Sequence, residues 1–141
     1  MEEDKEHWSS ASLRILSEQK SIEYINTKLN TQPTEYRIKG ERCSINNPKS
    51  MIREVNVWLL DSKLGEYDSL QLHIEDLISF VREKSDAIKE LQPECEFSLA
   101  CAYSSGNGQG GFTLHYETLR DLAAYPIDLS INLYSSGRDE E

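Results

Sequence analysis

The stretch Gly106-Asn-Gly-Gln-Gly-Gly111 reads G-x-G-x-x-G, the spacing at which a strand-to-helix turn lays backbone amides onto a pyrophosphate. That chemistry needs a helix to start at the glycines, because its unpaired N-terminal amides hold the anion. Here the glycines run into Phe112-Thr-Leu-His-Tyr116, which alternates like a strand, and helical spacing begins only near Glu117. No Lys-Ser or Lys-Thr follows them, which removes a P-loop, and the acid nearest the ribose-binding distance, Asp128, falls on a later strand. The expectation is a β-hairpin with glycine at positive φ in its turn. Gly108 and Gly111 are the positions where a side chain should cost stability.

The other reactive side chains are scattered. Cys95 and Cys101 lie six residues apart on one alternating segment, too far along a strand to bridge, and Cys43 sits in a polar loop with no second ligand at metal spacing. Three cysteines, an odd number, fit free thiols in a reducing compartment. His7, His73 and His115 have no acid or thiol at the spacing of a triad or a metal site. Neither a catalytic set, a metal nor a cofactor is expected from these residues.

Periodicity supplies the elements that would position any site. Ala11 to Leu16 alternates as a strand, and Ser21 can cap a helix carrying Ile22, Ile25 and Leu29 on one face. After Pro33, Thr34 to Lys39 alternates again. Val55, Val57 and Leu59 mark a third strand with Trp58 on its opposite, outer side. Leu70, Ile74, Leu77, Ile78 and Val81 give the longest helix; Ser85 caps a short continuation with Ile88 and Leu91, which Pro93 closes. Cys95 to Tyr103 is a fourth strand and Phe112 to Tyr116 a fifth. A helix through Leu119, Leu122 and Ala123 leads into a last strand, Ile127 to Leu133. The order β-α-β-β-α-β-β-α-β predicts an α+β fold, a mainly antiparallel sheet with helices packed on one face. One domain over residues 11–134 is expected between an acidic arm, 1–10, and an acidic tail, 135–141.

Charge narrows the partners. The chain has 141 residues and a net charge of -10, but residues 11–60 hold eight bases against five acids, while residues 61–129 hold thirteen acids against five bases. The second half therefore repels nucleic acid and anionic membrane and attracts basic proteins. No apolar run approaches the ~18 residues of a membrane span. The acidic start MEEDKEHW lacks the features of a signal peptide, so a cytoplasmic location is expected. Glu66, Asp68, Glu75, Asp76 and Glu83 follow the loop and exposed side of the longest helix and form one candidate docking surface. The outer sheet face, with Trp58, His115 and Tyr134 beside Arg14 and Arg37, forms a second, since aromatic residues and arginine anchor protein interfaces. An open aromatic sheet face also binds single-stranded RNA in some folds. The acidity of this chain argues against that use.

The pieces Ala11-Ser-Leu-Arg-Ile15, Pro33-Thr34 with Lys39-Gly40, Trp58 with Ser62, His73-Ile74 with Leu77, and Gly110-Gly111-Phe112 followed by Glu117, Leu119, Leu122-Ala123 and the Asp128–Tyr134 strand occur in an order that resembles a bacterial family of unknown function, domain family 4279. The resemblance spans about Ala11 to Tyr134 and implies a shared fold but no catalytic residues. It also implies a role for some members as antidotes to secreted bacterial toxins. Together these readings predict a non-enzymatic protein that binds a partner, specifically an immunity protein that occludes a cognate toxin with a basic surface. The alternatives are an enzyme with an unread site and a nucleic-acid-binding sheet.

Overall fold

The computed structural model describes residues 7–105 and 110–134; residues 1–6 of the acidic arm, Gly106 to Gln109 with the glycine Gly108, and the tail 135–141 lie outside the described residues. β1 (Trp8–Ser17) begins three residues earlier than the alternation from Ala11 predicts. α1 (Ile22–Leu29) follows, capped where expected: the Ser21 hydroxyl accepts from the Tyr24 amide at 3.0 Å. Asn30, left-handed at φ 51°, ends it. β2 (Glu35–Arg37) and β3 (Asn56–Asp61) flank a long polar excursion. α2 (Leu70–Glu83) is capped by Ser69, which accepts from the Leu72 amide at 3.2 Å. Lys84, not Ser85, occupies the cap position of α3 (Ser85–Leu91), and a 3₁₀ turn holding Pro93 closes it. β4 (Glu96–Ser104), α4 (Tyr116–Ala123) and β5 (Ile127–Tyr134) complete the chain.

The five strands form one sheet in the order β2-β3-β1-β4-β5, antiparallel except for the parallel pair β4-β5. The α+β class and the mostly antiparallel sheet are therefore as predicted. One expected strand is replaced. Phe112 to His115 runs as irregular chain and Tyr116 opens α4, so β4 reaches β5 by a helical crossover and not by a hairpin. The apolar alternation of that segment has another cause: Phe112 packs its ring on Tyr103, with centroids 4.9 Å apart, and Tyr103 Oη donates to the Gly111 carbonyl at 2.8 Å. The strain expected at Gly111 falls on its neighbour. Gly110 has φ +129°, and a Cβ there would meet Ser105 Cβ at 2.9 Å, whereas Gly111 is in open space.

All four helices bury their apolar stripes against one sheet face in one cluster. Leu13, Ile15 and Leu99 of the central strands are fully buried beneath Ile25, Leu29, Ile74, Leu77 and Ile88. Each such side chain contributes about 1.5–3 kcal/mol on burial. The opposite sheet face has small and polar residues at its centre, where Arg14 Nε donates to Ser98 Oγ at 3.0 Å. Among the described residues no helix is long and apolar enough to cross a membrane.

Candidate functional site

Trp58 is a core residue. It is 0% exposed, lies opposite Ile15, and its Nε1 donates to Asn26 Oδ1 of α1 at 2.7 Å. The expectation that it lies on the outer face is overturned. β3 turns the indole inward and sends Val57 and Leu59 to the other side, since burying the largest side chain in the strand outweighs burying two smaller ones. Tyr134 does lie on the outer face, half exposed, its ring 5.2 Å from that of Trp8. His115 does not. It stands at the N-cap position of α4 without a side-chain cap bond among the described residues, on the helical side of the molecule.

That displacement brings His115 to Glu75. The two residues line one groove between α2 and α4, of about 340 Å³, together with Arg82, Glu117, Thr118, Arg120 and Asp121. Gln71 holds the helices together beneath it. Its amide donates to Glu75 Oε2 and Thr118 Oγ1, and its Oε1 accepts from the His115 backbone amide at 3.0 Å. Gln71 and Thr118 are both buried, so these bonds form where water does not compete. At the other end Arg82 reaches Asp121 at 3.0 Å, with Arg120 at 3.4 Å from the same carboxylate. The mouth of the groove thus presents Glu75, Glu117 and His115 to solvent.

Three of the remaining predicted acids, Glu66, Asp68 and Asp76, sit at the loop before α2, where two carboxylates have structural partners. Asp68 Oδ2 accepts from the Gly65 amide at 2.8 Å and Asp76 Oδ2 from the Lys63 amide at 2.9 Å, so both brace the loop. Glu66 is half-buried, and its carbonyl accepts from the Ser9 amide at 2.9 Å. Glu83 is exposed near the end of α2, away from the loop. The acidic surface therefore divides between an α2–α4 groove and a braced loop, and of Trp58, His115 and Tyr134 in the outer-sheet set, Tyr134 alone stays on that face. The single acidic strip expected along α2 is not continuous.

Beside that loop lies a pairing that sequence spacing does not announce. Ser62 Oγ hydrogen-bonds His73 Nδ1 in a cleft of about 220 Å³ bordered by Ser9, Ser12, Asp61 and Glu66. A serine nucleophile needs the imidazole Nε2, a carboxylate at Nδ1 and free amide donors for the oxyanion. Here Nδ1 takes the serine, Nε2 has no hydrogen-bond partner among the described residues, and the Lys63 and Gly65 amides serve Asp76 and Asp68. This geometry suits a latch between the loop and α2. No group of three or more metal-ligating side chains occurs among the described residues. Cys95 and Cys101 are buried and Cys43 is exposed, as their strand and loop positions predict. Burial pushes the Cys101 thiol up to about 12 and also raises that of Cys95.

Sequence reasoning missed Gln71, Thr118 and Ser62. A polar residue inside an amphipathic helix reads as solvated unless its partner is known, and Thr118 lies forty-seven residues from Gln71. Comparison of the chain with curated proteins and with solved structures found no match. A family model, domain of unknown function DUF4279, matches residues 6–136, nearly the whole chain, and the protein belongs to that family.

Proposed function

We propose that the protein acts by binding a partner protein through the α2–α4 side, in its specific form as an immunity protein that neutralises a cognate bacterial toxin by covering it. One observation carries this reading. Glu75, Glu83 and Glu117 are exposed and form no ion pair among the described residues, and the same two helices expose Leu72, Tyr116 and Leu119. Carboxylates without counterions next to exposed apolar and aromatic side chains suit a basic partner, with the charges steering approach and the apolar groups holding the complex. Trp58, buried in the core, is not part of such a surface.

The test is association with the cognate toxin, to be sought in the neighbouring reading frame. Replacing Glu75, Glu83 and Glu117 by lysine should slow association at low salt by about ten-fold or more, and should flatten its dependence on salt. Asp68 and Asp76 are left in place because they brace the loop. Protection of toxin-sensitive cells should fall in parallel. Unchanged association and unchanged salt dependence in the triple variant would remove this surface from the function.

A further inference from the structure

The sheet ends in two edges of opposite character. β2 is three residues long and carries Glu35 and Arg37, the short, charged build by which proteins keep an edge from pairing. β5 has no such protection. It runs eight residues in unbroken register with β4, from Phe97 opposite Ile127 to Ser104 opposite Tyr134, and no described residue pairs with its other side. It contains no lysine, arginine or proline, no bulge interrupts its register, and Asp128 is its one charge. Its core-side row is also incompletely covered: Ile127, Leu129 and Ile131 are half-buried and Leu133 is 71% exposed. A row of unpaired backbone groups and a row of half-covered aliphatic side chains coincide on one edge.

We infer that β5 pairs antiparallel with β5 of a second copy of this chain about a two-fold axis, joining two five-stranded sheets into one. The strand's own order of residues selects this occupant. In an antiparallel pair, residues opposite each other share a face. An axis at Ile131 sets Leu129 against Leu133 and Asp128 against Tyr134. An axis at Ser130 sets Ile127 against Leu133, Leu129 against Ile131 and Asp128 against Asn132. In both registers aliphatic meets aliphatic on the core side and no carboxylate faces another, so the strand is self-complementary. The pairing also covers Leu133, the most exposed member of the row. Each copy carries a net charge of -10, so their mutual repulsion opposes the pairing at low salt and is screened by added salt. Binding of a basic partner has the opposite salt dependence, and the two events are separable on that ground.

Sedimentation equilibrium of the full chain, over a wide concentration range at low and high salt, tests the inference. The expected result is a monomer–dimer equilibrium that tightens with salt. Leu133→Lys, which places a cation in the aliphatic row of each copy, should weaken dimerisation by roughly ten-fold or more. Because Leu133 is largely exposed, the urea midpoint should barely change; Leu133→Ser, which adds no charge, should weaken pairing less. Amide exchange at Ile127–Tyr134 should slow as concentration rises in the parent chain and not in Leu133→Lys. A monomer mass at every concentration and salt would overturn the inference. So would a dimer that Leu133→Lys leaves intact, with β5 amides exchanging at the same rate whether dilute or concentrated.

Discussion

Ser62 and His73 tie the loop after β3 to the first turn of α2 through one hydrogen bond. The Leu64 amide points at Ser62 Oγ from 3.4 Å, a second hydrogen bond to the same hydroxyl. Replacing Ser62 by alanine should leave a 2%-exposed imidazole with no partner at either nitrogen. The expected cost is about 1–3 kcal/mol in urea unfolding, and His73→Leu should remove most of the effect of the serine change when the two are combined. Additive single effects would show that the two side chains do not act together.

Trp58 and Asn26 form the corresponding tie between β3 and α1. Asn26→Ala leaves the buried indole N–H without an acceptor and should cost about 1–3 kcal/mol, while Trp58→Phe in the same background should recover part of that loss by removing the donor. Trp58→Ala should cost about 3–5 kcal/mol and act on folding. Equilibrium unfolding of the set measures all three. A Trp58→Ala protein with the parent's stability would contradict the core position.

Alkaline pH acts through Cys101. Its thiol is neutral in the folded chain up to about 12, whereas an unfolded cysteine ionises near 8.5. The folded state therefore binds the proton more tightly, its advantage is intact below about 8.5, and it is lost as pH rises from there towards about 12. Unfolding free energies at pH 8 and pH 10 should differ by on the order of 1 kcal/mol more in the parent than in Cys101→Ala. Native alkylation at pH 8 should modify Cys43 first, with Cys95 and Cys101 reacting on unfolding. Prompt labelling of Cys101 in folded protein would contradict its burial.

Most elements were legible because each has a single apolar period and a recognisable end. Ser21 and Pro93 start and stop helices for local reasons, and local reasons are visible in sequence. Trp58 was not legible because Val57 and Leu59 are apolar too, so alternation alone does not say which side of β3 faces the helices; its partner Asn26 lies thirty-two residues earlier. Phe112 to Tyr116 alternates, yet the alternation reflects packing on Tyr103 and no strand ladder. With that strand gone, His115 leaves the sheet and joins Glu75 across a groove built by Gln71. The acids were legible as charges. That Asp68 and Asp76 spend theirs on backbone amides depends on a loop conformation that no local pattern encodes.

The strand at the middle of the sheet is made before the four strands that join it. β1 pairs on one side with β3 and on the other with β4, Ser9 meeting Tyr103 across more than ninety residues of chain. Leu13 and Ile15 emerge before their partners and have no complete shelter until Ser104 has been made, and β5 can only add to an edge that β4 provides. Such non-local pairing slows folding relative to a chain of local contacts, and the nascent chain exposes the apolar face of β1 until β4 follows. A chain truncated before β4 should therefore be a substrate for chaperones and proteases. Residues that speed β1–β4 docking would be expected to raise cellular yield even where they leave the final stability unchanged.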